Sequence, residues 1–357
     1  MKGNLLAGLV QLLVTLAVVA AVILVVLVPF ALSQPQPAAV LTSFLLGPLD
    51  SVRHLGNVAE VATPIAFTGL AATVIFRSGL FNLGIEGGFF LGGLAATAAA
   101  LLLPLPHVAA PFLAIVVGAT VGSLACIVPG YLRIRHDASE MVTSLVLNFA
   151  ILFAGVFVLN YFLRDPAAGT LMSYRIPADA RLERLLPSTR LNSGAIIAVL
   201  ACLGAGIWLF KTRAGLNLRI VGSSPGFATH LGLPSSRIVM MAQVAGGLIA
   251  GMAGAIEVLG LYPRFSWTHL PGLGWTGIIV AILARENPFL ILPAALFLGY
   301  LQVGGNILAQ EVGIPVEVVG LITAAIMLAV TANAIFQHPA LLRLIRTIRQ
   351  RGEASAS

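Results

Sequence analysis

Apolar residues run through this chain in long stretches, broken by short clusters of proline, glycine and charge, and that rhythm predicts a bundle of membrane-spanning helices. Ten stretches stand out, at residues 5–32, 58–76, 80–103, 109–131, 140–163, 193–210, 238–258, 273–284, 288–309 and 316–336. A hydrocarbon core about 30 Å thick takes about 20 helical residues to cross. The third stretch (80–103) and the short eighth (273–284) are the candidates for broken or re-entrant segments. In the first, Lys2, an apolar run and Ala31-Leu32-Ser33 imitate a cleaved signal peptide. The run from Leu5 to Leu32 is longer than the roughly 7–15 residues of a signal core, so it reads as an uncleaved span. The expected fold is all-α: a polytopic integral membrane protein of about ten transmembrane helices.

Composition agrees. Of 357 residues, 59% are hydrophobic and 9% charged, against about 25% charged in ordinary soluble domains. The net charge of +7 reads as the lysine and arginine excess that orients a membrane protein, since no basic, aromatic-rich soluble module is present to bind nucleic acid. With both termini cytoplasmic, the inside holds Lys2, Arg77, Arg133, Arg135, Lys211, Arg213, Arg219, Arg237, Arg285, Arg343, Arg346, Arg349 and Arg351. The outside holds Arg53, Arg164, Arg175, Arg181, Arg184, Arg190 and Arg264, a minority of the 20 basic residues, as the positive-inside rule requires. This layout gives a transmembrane domain over residues 1–337, with a cytoplasmic loop at 211–236 and an extracytoplasmic loop at 164–192, followed by a basic cytoplasmic tail at 338–357.

The most informative departure from apolarity is Phe76-Arg77-Ser78-Gly79-Leu80-Phe81-Asn82-Leu83-Gly84-Ile85-Glu86-Gly87-Gly88. A carboxylate facing lipid costs roughly 2.5–3.5 kcal/mol on insertion scales, so such groups normally face protein or a water-filled path. A helix starting at Leu80 carries Glu86 roughly 9 Å along its axis. There it either lines a path or bonds to Asn82 or to the backbone of another helix. Glu257 closes the seventh stretch, at the outer interface, and Glu60, Glu140 and Glu317 begin stretches, where a carboxylate complements the helix dipole. Gly84, Gly88 and Gly92 repeat every four residues on one face, as do Gly247 and Gly251, which lets helix backbones approach closely. Stretches 2–5 and 7–10 share a glycine-rich rhythm. An offset of five helices admits an inverted repeat of two five-helix halves.

Loop 211–236 is the second region of interest. Ser223 or Ser224 caps a short helix with Pro225 in its first position, and Gly232 ends it, which is a lever for a soluble partner. No enzyme site emerges: Ser144 lacks a glycine elbow, no phosphate-binding loop occurs, and the six histidines lie near segment ends or in loops. Cys126 and Cys202 read as small buried apolar residues. No cofactor or metal is implied.

These regions resemble the permease subunits of ATP-binding-cassette importers for simple sugars, branched-chain amino acids and nucleosides, with the nucleoside-type permeases nearest. The family pattern Phe-Arg-x-Gly-Leu-Phe-Asn-Ile-Gly-x-Glu-Gly-Gln lands on Phe76–Gly88, with Gly88 where glutamine is usual. Glu140-Met141-Val142-Thr143-Ser144-Leu145-Val146-Leu147-Asn148, Arg219-Ile220-Val221-Gly222 through Gly232, Ala250–Val258 and Gly274–Leu283 are similar to four further family stretches. Serine stands for threonine at 144, Phe227 fills a small position, and Ala284 replaces a glycine.

The resemblance implies a multi-pass permease in the cell membrane of a bacterium, paired with a second, related permease subunit. Cytoplasmic ATPases bind the ATP and engage Arg219, Gly222, Ser224, Pro225, Ala228 and Gly232, and an extracytoplasmic binding protein delivers the substrate. Asn82, Glu86, Asn148, Trp275 and Thr276 are the candidate path residues. Simple sugars or branched-chain amino acids are the alternative substrates. A proton-coupled secondary transporter using Glu86 is the alternative of another class.

Overall fold

The computed structural model describes residues 24–103 and 109–336; the basic tail, the start of the first stretch and residues 104–108 lie outside the described residues. The chain is all-α and built from membrane helices. In order these are α1 (24–32), α2 (Pro37–Leu45), α3 (Val52–Phe76), α4 (Ile85–Leu102), α5 (Ala110–Gly122), α6 (Leu124–His136) and α7 (Glu140–Val158). There follow α8 (Gly194–Lys211), α9 (Arg213–Ser223), α10 (Pro225–His230), α11 (Ser235–Leu261), α12 (Leu273–Leu283), α13 (Pro288–Val312) and α14 (Val316–Phe336). Among the described residues, seven helices are long and apolar enough to cross a membrane, and Leu273–Leu283 and Glu317–Leu328 are shorter apolar helices; most of the first predicted stretch lies outside the described residues. Among the described residues, those of Leu55–Gly299 form one packing unit, and those up to His54 and from Tyr300 on form another.

Within the central unit, α4, α5 and α11 cross on glycine. A Cβ on Gly92 would land on the carbonyl oxygen of Gly251, and one on Gly122 would lie 2.6 Å from the Gly251 Cα. At Gly88 it would lie 3.0 Å from the Gly122 carbonyl, and at Gly247 2.8 Å from that of Ser123. Backbones this close gain dispersion contacts that side chains would prevent. The fourth stretch is broken between α5 and α6 at Ser123, whose hydroxyl donates to the Thr120 carbonyl at 2.6 Å. Helix α3 is the most enclosed span, with 89% of its apolar window buried against 28% in α7 and α8. The outer faces of those two helices, with Val146, Phe153, Leu200 and Ile207 exposed, are surfaces for lipid or another subunit.

Two expectations need correction. Helix α3 begins at Val52, not 58, so Glu60 sits two turns inside it and does not complement its N-terminus. The hydropathy reading missed the first turns because Arg53, His54 and Asn57 are polar. Helix α4 begins at Ile85, not Leu80, which places Glu86 in the first turn and removes the premise of the 9 Å depth. Glu140 does open α7, where the Ser139 hydroxyl accepts from the Val142 amide.

Candidate functional site

Residues 80–84 enter the fold without helical structure, so their backbone groups need other partners. Side chains supply them. The Leu83 amide donates to the Ser144 hydroxyl at 3.0 Å, and the Leu83 carbonyl accepts from the Asn148 side-chain amide at 2.9 Å. The Asn148 oxygen then accepts from the Gly87 amide at 3.0 Å. Asn82 donates to the Cys126 carbonyl at 2.9 Å and to the Gln243 oxygen at 2.8 Å, and accepts from the Gly84 amide. Asn82 and Asn148 are wholly buried. The segment is therefore a strap tied across α6, α7 and α11.

Glu86 completes it. Its Oε1 accepts from the Gly272 amide and its Oε2 from the Gly274 amide, both at 2.6 Å, and the side chain is 1% exposed. These amides belong to the N-terminus of α12, where unpaired N–H groups and the helix dipole favour an anion. Gly272 has φ +83°, a conformation costly for other residues, and a Cβ on Gly274 would lie 2.6 Å from the Glu86 Cα. Helix α12 has 11 residues, about 16 Å of rise, too short for a hydrocarbon core about 30 Å thick. Two interrupted segments, the third and the eighth, thus start against each other with one carboxylate between them. Trp275 and Thr276 sit half-buried in the first turn of α12; Trp275 packs against the cluster containing Ala71, Ile75 and Ile85. The structure thus brings Asn82, Glu86 and Asn148 into one network and sets Trp275 and Thr276 on the helix that Glu86 caps.

Loop 211–236 folds as α9 and α10. Thr212 caps α9, its hydroxyl accepting from the Gly215 amide at 3.1 Å. Ser224 is the N-cap residue of α10 without a side-chain bond, Pro225 takes the first position, and Gly232 follows with φ +68°. Of the residues singled out here, Ala228 is fully buried, while Phe227 and Leu231 are 54% and 52% exposed. Arg219 lies over the Phe210 ring, 5.3 Å from its centroid. Gly222 lies against Gly79: a Cβ on Gly79, itself at φ +81°, would be 3.1 Å from the Gly222 carbonyl oxygen. Beside Gly79, Arg77 donates to the Arg285 carbonyl at 3.2 Å and the Glu286 carbonyl at 2.9 Å, and pairs with the Glu286 carboxylate at 3.4 Å. Arg285 and Glu286 both hold left-handed backbone, with φ 52° and 53°. One continuous set of contacts therefore runs from α9 and α10 to the far end of α12.

At the other end, loops 164–192 and 259–272 are stitched together. Arg264 pairs with Asp165, the Ser173 amide donates to the Phe265 carbonyl at 2.9 Å, and the Leu182 amide donates to the Leu259 carbonyl at 3.1 Å. The Arg264 hydrogen bond holds the Asp165 carboxyl below its ordinary range. Beneath them Trp267 packs on Phe89 and Phe265, with ring centroids 5.2 and 5.1 Å apart.

Sequence reasoning passed over Gln243, fully buried, which accepts from Asn82 and donates to the Ser78 hydroxyl at 3.3 Å. Its signal was an amide within the otherwise apolar seventh stretch. The exposed pair Phe227 and Leu231 was also missed, because sequence spacing alone does not tell which face of a six-residue helix is covered.

The family of branched-chain amino acid transport system permease components matches residues 54–331. A glucose ABC transporter permease protein of Haloferax volcanii is 30% identical over 81% of this chain and 79% of its own length. A nucleoside ABC transporter permease protein of Lactococcus lactis is 29% identical over 81% and 82%. A guanosine ABC transporter permease protein of Bacillus subtilis is 29% identical over 80% and 83%. The same Lactococcus and Bacillus strains each supply a second matching permease, at 26% and 24% identity. With the family matched across more than half its length, this chain is a member of the branched-chain amino acid transport system permease family, a membrane-spanning permease subunit of an ATP-binding-cassette importer.

Proposed function

We propose that this permease carries nucleosides inward across a bacterial cell membrane, with both termini cytoplasmic, and that its energy comes from ATPase subunits docked on α10. The observation that carries the reading is the connected set of contacts from α10 to α12. Phe227 and Leu231 face outward from α10, and Gly222 lies against Gly79. From there Arg77 grips the Arg285–Glu286 turn that ends α12. A push on α10 thereby reaches the helix bearing Trp275 and Thr276. Asn82, Glu86 and Asn148 hold the frame of the path, and Trp275 and Thr276, half-buried, form its wall. The kinship to nucleoside and guanosine permeases supports the substrate class. The paired permeases of those systems support a related second subunit here. An extracytoplasmic binding protein meets the stitched loops 164–192 and 259–272.

A sugar substrate is the second reading, favoured by the glucose permease relative. Proton coupling through Glu86 is disfavoured by geometry, since both carboxylate oxygens already accept backbone amides and a proton there would meet another donor. The test is uptake of labelled guanosine by cells with the complete importer, against competition by uridine, glucose and leucine. Competition by uridine alone supports nucleosides. Competition by glucose alone transfers the assignment to sugars.

A further inference from the structure

We propose that Glu60, Glu257 and Tyr262 form a subsite that grips the vicinal hydroxyls of the transported molecule, at the end of α3 and α11 facing loops 164–192 and 259–272. The inference rests on the importer reading above and deepens it by naming what is recognised. Glu60 is nine-tenths buried, with 9% of its side chain exposed. Its Oε1 lies 3.4 Å from the Arg190 guanidinium, while its buried Oε2 has no hydrogen-bond partner. A buried carboxylate oxygen left without a donor is costly, and such a group calls for a ligand that donates.

The surroundings say which kind. The residues flanking Arg190 pack against both helices: a Cβ on Gly56 would lie 2.8 Å from the Thr189 Cβ, one turn before Glu60. A Cβ on Gly260 would lie 2.6 Å from the Asn192 side-chain carbon, one turn after Glu257. Glu257 stands within electrostatic reach of Glu60 and Arg190, and Tyr262 within reach of both carboxylates. The Tyr262 ring meets Trp267 edge-on, centroids 6.1 Å apart, which supplies an apolar flank. An anion is repelled by the Glu60 carboxylate, and a cation competes with the guanidinium already present. A neutral ligand with adjacent hydroxyls fits both constraints, because the unpartnered Glu60 oxygen accepts from one hydroxyl and a carboxyl oxygen of Glu257 from its neighbour. Nucleosides and glucose, the molecules in the names of the relatives, share that feature.

The experiment is uptake of guanosine and of 2′,3′-dideoxyguanosine by cells carrying the complete importer with wild-type, Glu60→Gln or Glu257→Gln permease, each at measured membrane abundance. The wild type is expected to favour guanosine. Glu60→Gln is expected to cut guanosine uptake about 10- to 100-fold, the loss of one charge-assisted hydrogen bond, and Glu257→Gln to cut it less, while dideoxyguanosine uptake stays within about twofold in both. Equal loss of both nucleosides at normal abundance assigns the carboxylates to packing and overturns the proposal. An unchanged ratio overturns it too, including the case in which a variant alters only sodium or calcium dependence, the mark of a cation site. If the wild type takes up glucose and not guanosine, the nucleoside reading alone fails, and the same variants are read with glucose against 2-deoxyglucose.

Discussion

Replacing Glu86 by glutamine keeps the shape of the side chain and removes its charge. In the native fold each carboxylate oxygen accepts one backbone amide, from Gly272 and Gly274, at 2.6 Å. The carboxamide offers one acceptor and turns its NH2 toward the other amide. The lost charge-assisted bond is worth about 1.5–3 kcal/mol, and leaving a buried amide unsatisfied costs about 1–3 kcal/mol more. The charge at the N-terminus of α12 adds about 0.3–1 kcal/mol. Together these give a destabilisation of about 5 kcal/mol. An unfolding entropy of about 2.1 cal/mol/K per residue converts that into a fall of roughly 7 °C in the thermal midpoint of a chain this long. The assay is thermal unfolding of the detergent-solubilised protein, followed by uptake in cells at matched membrane abundance. Both stability and uptake are expected to fall. A full loss of uptake with an unchanged midpoint, and above all a loss of dependence on an imposed pH gradient, would refute the capping role and revive a proton carrier.

Phe227→Glu and Leu231→Glu place charge on the exposed face of α10 and should abolish ATP-driven uptake with normal insertion and thermal stability, read by uptake and unfolding in parallel. Ala228→Asp buries a charge within the fold, so its loss of uptake should come with reduced folded yield, measured by size-exclusion chromatography. Gly92→Leu drives a side chain into the Gly251 backbone and should cost about 3 kcal/mol or more, seen as loss of folded protein. For Asp165 the sign follows from its depressed carboxyl: the stabilisation is complete above the ordinary value of 3.8 and lost as pH falls below it. Protease cleavage within loop 164–192 should therefore accelerate only in that acid range, and in Asp165→Asn it should already be fast at neutral pH.

What the sequence disclosed divides by the range of the interactions. The short helix α10 was readable because Pro225 and Gly232 act on their own neighbours through backbone conformation, although Ser224 at the N-cap makes no side-chain bond. The glycine registers at Gly84, Gly88 and Gly92 were equally visible, although their partners, Ala125, Gly122 and Gly251, were not. The start of α4 was misread because Leu80–Gly84 is apolar enough for a helix, yet its backbone bonds go to Ser144 and Asn148 on α7 and to its own Asn82 side chain. The partners of Glu86 lie 186 and 188 residues along the chain, beyond the reach of any local pattern. Its two readings, path or packing, therefore looked alike until the amides of α12 appeared beside it. Glu60 was misplaced for a different reason: polar residues opening α3 hid two helical turns from hydropathy.

The central claim is that transport through this chain is powered from outside it, through α10. The most direct measurement is guanosine accumulation in proteoliposomes holding either the purified permease alone or the assembled importer with ATPase, second permease and binding protein, with and without ATP. Accumulation only in the assembled importer with ATP, and none after Phe227→Glu, is the predicted result. Accumulation by the lone permease under a pH gradient would contradict it.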